Sequence, residues 1–240
     1  MLEKKVLIVK NVHREGPGLI RTLLEENGIG FGVVGTGNIN RLPNPQEYSA
    51  VILLGGPQSA NDEEMKSELE FIARTIDYDV PYLGICLGAQ ALVKAAGGKV
   101  ERAPFKEVGC KDVKENYFQV ELTEDGKNDG LLRCVNETFP IFQLHGETVT
   151  LRNGMVLLGT GKGPYQIRNQ IVKVAPKTYG IQGHLEVTKP MLGRWIEQDT
   201  MFHGYDTIAI SRDFRGLQHE YHQNGRTMIS NFLRISGLIS

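Results

Sequence analysis

Tyr82-Leu83-Gly84-Ile85-Cys86-Leu87-Gly88-Ala89-Gln90 passes from a short apolar run into a helical pattern that continues to Ala96. A single cysteine stands at the change, with one glycine two residues before it and another two residues after it. A nucleophile on a sharp strand-to-helix turn requires this pattern. The turn strains the backbone of the nucleophile, and side chains at the flanking positions would clash. The helix that follows would set its free N–H groups and the positive end of its dipole beside the sulfur, which favours thiolate over thiol. The stretch therefore predicts a β-to-α unit and a cysteine nucleophile together.

Reading outward from Cys86, the N-terminal half alternates strand and helix. Residues 4–10 (KKVLIVK) read as a buried strand, and residues 16–27 as a helix with Leu19, Ile20, Leu23 and Leu24 on one face. Gly28 closes that helix as a C-cap. A strand over 31–34 follows, and then residues 49–54 (SAVILL), wholly apolar as in the centre of a parallel sheet. Residues 63–78 read as a helix, 81–85 as the strand before Cys86, and 87–96 as the helix after it. This order predicts an α/β fold: a doubly wound, mostly parallel sheet with flanking helices and right-handed crossovers.

The character changes after about residue 99. Short strand-like runs over 117–122, 138–144, 155–160 and 170–174 are separated by polar and glycine-rich turns, which predicts antiparallel strands added at one sheet edge. Residues 179–184 form a last strand. Residues 189–198 read as a helix with Met191, Leu192, Trp195 and Ile196 on one side, and residues 216–235 also read as helical. No repeat, low-complexity tract or linker interrupts the chain. The expected organisation is one domain over residues 1–200 with a helical C-terminal extension, 201–240, packed on it.

The bulk numbers narrow the function classes. The chain has 240 residues, 40% of them apolar and 23% charged, with a formal net charge of −1. No basic stripe supports nucleic-acid binding or an anionic membrane surface. The longest apolar runs are too short to span a bilayer, and the N-terminus lacks the apolar core of a signal peptide. The three cysteines, Cys86, Cys110 and Cys134, are odd in number and widely spaced, so they form neither a disulfide framework nor a zinc motif. A reducing cytoplasm is the expected compartment. Cys110 and Cys134 lack the glycine frame of Cys86 and read as packing residues.

A cysteine nucleophile needs a base. Among six histidines, His184 ends an apolar strand in Gly180-Ile181-Gln182-Gly183-His184-Leu185-Glu186. Residues i and i+2 of an extended chain share a face, so Glu186 can hold one imidazole nitrogen while the other faces Cys86. Strand C-terminal ends gather at one edge of an open α/β sheet, where sites form. Gly55-Gly56-Pro57 follows a strand at that same edge, and a glycine-rich turn there lets a backbone N–H approach a reacting carbonyl. The N–H of Leu87 is the natural second donor to an oxyanion.

Gly55-Gly56-Pro57, Gly84-Ile85-Cys86-Leu87-Gly88-Ala89-Gln90, His145-Gly146-Glu147-Thr148 and Gly180-Ile181-Gln182-Gly183-His184-Leu185-Glu186 occur in the order and spacing of class I glutamine amidotransferases. The chain resembles the stand-alone group similar to the amidotransferase half of GMP synthase, over roughly residues 4–200. The resemblance implies a flavodoxin-like fold and hydrolysis of the glutamine side-chain amide to glutamate and ammonia. Cys86 would form a γ-glutamyl thioester. His184 would protonate the departing ammonia and then activate water, and Glu186 would orient His184. The N–H groups of Gly56 and Leu87 would hold the oxyanion, Gln90 would help seat glutamine, and the segment around His145 and Gly146 would border the pocket. No cofactor or metal is implied. The partners implied are a glutamine or γ-glutamyl substrate and a separate synthase that receives ammonia, since no ATP-binding motif is visible and little chain follows residue 200.

This sequence departs from the family pattern in two places. Leu185 stands where proline is usual between the histidine and the glutamate, and Gly183 where phenylalanine is common. Neither change removes a reacting group. His145 reads as a pocket-lining histidine. His219 and His222, three apart on a helix, could bind metal but have no third ligand and read as a solvated face. Gly30-Phe31-Gly32-Val33-Val34-Gly35 matches a dinucleotide pattern but lies within a strand, and Gly159-Thr160-Gly161-Lys162-Gly163-Pro164 lacks the spacing and following helix of a phosphate loop. Beside the amidotransferase reading stand two others: a γ-glutamyl hydrolase or peptidase, and a binding or regulatory protein of low turnover that keeps the fold.

Overall fold

In the computed structural model, which describes residues 5–35 and 42–240, a nine-stranded sheet runs through the molecule. Its parallel part comprises β1 (Lys5–Lys10), β2 (Gly30–Gly35), β3 (Ala50–Leu53), β4 (Tyr82–Ile85) and β11 (Thr178–Ile181), in the spatial order β2-β1-β3-β4-β11. Lys4, the first residue of the expected strand, lies outside the described residues. Beyond β11 the sheet continues antiparallel through β10 (Asn169–Ala175), β9 (Val156–Gly161), β6 (Gln119–Leu122) and β7 (Thr138–Pro140). The expected antiparallel addition at one edge is therefore present.

The parallel strands are apolar on both sides because both faces are covered. In β1, Val6 and Ile8 join a core with Leu19, Ile20, Leu23 and Leu24 of α1 (Gly18–Glu26) and Met228, Ile229, Phe232 and Leu233 of α6 (Thr207–Ile235). Leu7 and Val9 point the other way, into a core with Phe71 and Ile72 of α2 (Lys66–Asp77) and Ala91, Leu92 and Val93 of α3 (Leu87–Ala95). Strand period 2 thus assigns alternate residues to different cores. A third cluster gathers Phe142, Leu144, Phe214 and Tyr221 with Met191, Leu192 and Trp195 of α5 (Lys189–Gln198). The short α4 (Glu124–Lys127) is capped by the Thr123 hydroxyl, which accepts from Gly126 N–H at 3.0 Å.

Three expectations about the elements change. The strand β5 (Lys99–Gly109) is not foreseen by the sequence reading, and it pairs with β8 (Gln143–Thr150) as a separate two-stranded antiparallel ribbon. Its register shifts between Arg102 and Glu107, around Pro104, and several of its charged side chains face solvent, so no clean alternation marks it. The expected run over 138–144 divides between β7 and β8, because the chain leaves the main sheet at Ile141 and Phe142. The last helix begins at Thr207, not Gly216; the Asp206 carboxylate caps it by accepting from Ala209 N–H at 2.9 Å. No helix among the described residues is long and apolar enough to cross a membrane.

Candidate active site

Cys86 sits between β4 and α3 with φ +51° and ψ −107°, a strained backbone for a residue with a side chain. A methyl group built on Gly84 would overlap the Gly88 carbonyl, and one on Gly88 would overlap the Leu53 carbonyl. Both glycines are therefore demanded by close approach of backbone to backbone, as the sequence pattern predicts. The Tyr82 hydroxyl donates to the Gly88 carbonyl at 2.9 Å and ties the turn to the strand that enters it.

The Cys86 sulfur lies beside the His184 imidazole and favours its charged form, while Cys86 Sγ itself is 3.8 Å from the Leu144 carbonyl. On the far edge of the ring, His184 Nδ1 lies 2.8 Å from Glu186 Oε1, while Glu186 Oε2 accepts from the Leu185 N–H at 2.9 Å. Both side chains are 1% exposed. Burial is the largest influence on His184 and opposes its charge. The Glu186 carboxylate and the Cys86 sulfur outweigh it and hold the imidazole well above its ordinary range. Gln182 Nε2 also points at Cys86 Sγ, at 3.8 Å. Sequence reasoning left Gln182 without a role, although it lies two residues before His184 in the same quoted motif.

The position of His184 depends on parts of the chain far from it in sequence. The Tyr221 hydroxyl in α6 donates to the His184 carbonyl at 3.0 Å and accepts from Val187 N–H at 3.1 Å. Trp195 of α5 lies edge-on to the imidazole, ring centroids 4.8 Å apart. Leu19 N–H, in the first turn of α1, donates to the Glu186 carbonyl at 2.9 Å. That approach requires Gly18, whose φ is +44° and whose missing side chain would overlap the same carbonyl and the Met191 sulfur. Gly183 is explained by its neighbours: a Cβ there would stand 2.7 Å from Ile141 Cδ1 and Cγ1 and 2.9 Å from Gln143 Oε1. Ile141 and Gln143 fill the space that an aromatic side chain would need.

Cys86 opens into a cavity of about 490 Å³. Gly56, Gln90 and the segment His145-Gly146-Glu147 line it, as the sequence reading expects of the pocket; Glu15, Gln58 and Asp199 line it without having been foreseen. Leu87 opens α3, so its N–H has no intrahelical acceptor, and the Gly56 N–H is likewise unclaimed among the described residues. Both Gln90 amide N–H groups are donated within the protein, to the Glu147 carbonyl and to Gln182 Oε1, each at 3.2 Å. His145 is buried; its Nδ1 lies 3.0 Å from the Glu147 carbonyl and its Nε2 3.1 Å from Gln143 Oε1 and 2.8 Å from Glu107 Oε2. The Ser59 hydroxyl donates to Glu147 Oε1 at 2.9 Å, linking the turn after β3 to β8 across the cavity mouth. Arg14, in the loop after β1, is ion-paired with Asp199, just beyond α5.

The remaining sulfurs and histidines lie elsewhere. Cys110 is buried in the third apolar cluster, where desolvation, with help from Asp213, pushes its thiol up to about 12. Cys134 is exposed, which corrects the packing role expected of it. It takes φ +62° directly after Arg133, where the chain leaves a short 3-10 turn, Gly130–Leu132, and swings the side chain outward. His222 Nε2 lies 3.1 Å from the Val187 carbonyl and helps α6 hold the segment after Glu186.

A family model described as glutamine amidotransferase class-I matches residues 19–203. A GMP synthase [glutamine-hydrolyzing] of Edwardsiella ictaluri is 31% identical over 157 residues, 62% of this chain and 27% of that protein. A glutamine amidotransferase-like protein, YfeJ, of Salmonella typhimurium is 27% identical over 153 residues, 61% of this chain and 60% of that protein. This chain thus spans about a quarter of the matched GMP synthase and under two thirds of YfeJ. The crystal structure of a glutamine amidotransferase from Thermotoga maritima superposes with a TM-score of 0.83 at 27% identity, covering 98% of each chain.

Proposed function

Because the chain belongs to the class-I glutamine amidotransferase family, whose model matches most of its length, we propose that it hydrolyses the side-chain amide of glutamine to glutamate and ammonia. One observation carries the reading. A cysteine at a strained turn, beside an imidazole that a buried carboxylate holds from behind, opens into a cavity with unclaimed backbone N–H groups beside it. Among the described residues no other cysteine has a histidine partner of this kind.

In this reading Cys86 Sγ attacks the γ-carbonyl carbon. The carbonyl electrons move onto oxygen, and the N–H groups of Gly56 and Leu87 receive the oxyanion; such a donor is worth about a hundred- to a thousand-fold in rate. On collapse the C–N bond breaks, and His184, held protonated by Glu186, gives its proton to the departing nitrogen. The neutral imidazole then takes a proton from water, which attacks the thioester and regenerates Cys86. Gln182, aimed at Sγ, and Gln90, braced by Glu147, shape the space around the sulfur. Released ammonia would pass to a synthase, as the names of the matched GMP synthases suggest for those proteins.

The test is ammonia release from glutamine by the purified chain, alone and with candidate synthases, beside Cys86→Ser. Turnover that rises with a synthase and vanishes in the variant is expected. Turnover retained in Cys86→Ser would refute the nucleophile. A glutamine-analogue affinity label on Cys86 gives the same answer without turnover. Faster cleavage of γ-glutamyl peptides than of glutamine would move the reading to a γ-glutamyl hydrolase.

A further inference from the structure

Glu15 is a buried carboxylate of the Cys86 cavity that the chemistry above does not use; Asp199, also buried there, is ion-paired with Arg14. Glu15 belongs to Glu15-Gly16-Pro17-Gly18, the turn that carries β1 into α1. Its side chain lines the cavity yet is only 4% exposed, and its Oε2 has no hydrogen-bond partner. The cations that could serve it are engaged elsewhere: Arg14 pairs with Asp199, and His184 with Glu186 and Cys86.

Its position is set by Gly55. A Cβ built on that glycine would lie 2.6 Å from Glu15 Oε2 and 3.1 Å from His184 Cε1, so the bare α-carbon keeps open the space between the free oxygen and the imidazole. One residue on, a Cβ at Gly56 would lie 2.7 Å from Gln58 Oε1, a second buried acceptor without a partner that lines the same cavity. The orientation of Gln58 follows from its Nε2, which donates to the Asn11 carbonyl at 3.3 Å. Two unsatisfied side-chain acceptors therefore flank the Gly55-Gly56 turn beside the reacting pair, and the nearby side-chain cations are engaged elsewhere. Buried polar atoms are nearly always satisfied, and side-chain acceptors left without a donor are completed by a guest that brings N–H groups.

We propose that Glu15 Oε2, with Gln58 Oε1, forms a subsite for an amine nitrogen on the leaving-group side of Cys86 and His184. The proposal rests on the glutamine-hydrolysing reading. Two sources share the chemistry. In the forward step the C–N bond breaks as the thioester forms, the His184 proton passes to nitrogen, and the resulting ammonia donates an N–H to Glu15. In transfer, an external amine seated there attacks the thioester carbonyl: a C–N bond forms, the S–C bond breaks, the amine proton goes to His184, and Cys86 is restored.

The charge of the cradle depends on pH. Burial raises the Glu15 carboxyl to about 7; positive charge on His184 works against that rise, Glu186 adds to it, and Arg14 and Asp199 act in opposite directions. Attraction for a cation therefore grows as pH rises through about 7.

The experiment compares alkylation of Cys86 by 2-bromoethylammonium and by neutral iodoacetamide, read by peptide mass spectrometry, with exposed Cys134 as the internal reference for intrinsic reactivity. The wild type is expected to favour the cationic reagent at Cys86 about tenfold more than Glu15→Gln does, with the preference growing from pH 6 to 8. Methylammonium, but not tetramethylammonium, which has no N–H, should alter wild-type alkylation saturably; this second measurement needs no variant. Equal selectivity in wild type and Glu15→Gln, with Cys86 still reactive, overturns the subsite alone. A Cys86 inert to both reagents sinks the nucleophile reading and the subsite with it. During glutamine turnover, saturable transfer to methylamine identifies an incoming amine, and saturable inhibition by ammonium without transfer identifies the departing ammonia. Both effects should weaken about tenfold in Glu15→Gln.

Discussion

Replacing Tyr221 with phenylalanine tests whether α6 holds the His184 segment in place. The change keeps the ring, which lies 5.2 Å from Phe214 and 5.5 Å from His222 between centroids, and deletes only the hydroxyl. That hydroxyl makes two buried bonds, to the His184 carbonyl at 3.0 Å and from the Val187 N–H at 3.1 Å. Among the described residues the Val187 N–H has no other acceptor, and Val187 is fully buried. An unpaired buried donor costs about 1–3 kcal/mol, and the lost bond to the His184 carbonyl adds about 1 kcal/mol. The total is about 2–4 kcal/mol, which in a chain of this size lowers the melting temperature by roughly 5–15 °C. Thermal and urea unfolding measure it, with Tyr205→Phe as an exposed control. Because the strand end that carries His184 is released, alkylation of Cys86 should also slow by about three- to tenfold, the scale of a sub-ångström misplacement. A Tyr221→Phe protein that melts within about 1 °C of wild type would refute the buttress argument, since no unpaired donor of this kind is that cheap.

Two further outcomes follow from single residues. Gly183→Ala should destabilise the chain by about 1–3 kcal/mol through overpacking against Ile141 and Gln143; Ile141→Ala should recover at least about 1 kcal/mol of that loss in a double-mutant cycle, and simple additivity would contradict the steric account. Glu68, fully buried in α2 with neither carboxylate oxygen partnered, has its carboxyl raised to about 7 by burial and, secondarily, by Glu64. Its folded value exceeds its unfolded one, so the stability it lends is complete below about pH 4.5 and is lost as pH rises through about 7. Glu68→Met should therefore gain on the wild type by about 2–3 kcal/mol between pH 4.5 and 8 in urea titrations. A difference between the two proteins that is flat across that window would show the carboxyl is not perturbed.

Legibility in the sequence tracked how local the cause was. The parallel half of the sheet could be read because each strand is covered on both faces and its composition says so: β1, β3 and β4 are short apolar runs set between amphipathic helices. β5 could not be read, because one face of a two-stranded ribbon is wet, its pattern carries charges, and Pro104 breaks its register. The start of α6 was hidden by Gly216, which suggested a boundary although its missing side chain would have met nothing within 4 Å.

At the candidate site, local spacing is enough to imply the elbow at Cys86, the pairing of His184 with Glu186, and the glycine turn at Gly55-Gly56. Each follows from covalent spacing: two residues along a strand share a face, and two residues either side of a tight turn have no room for side chains. It takes the packed fold to reveal that Tyr221 and Trp195 brace the histidine, that Ile141 and Gln143 occupy the space freed at Gly183, and that an unpartnered Glu15 oxygen lies near the imidazole. Those contacts join residues separated by 11 to 169 positions in the chain. Packing of whole elements, and no local pattern, sets which of their side chains meet.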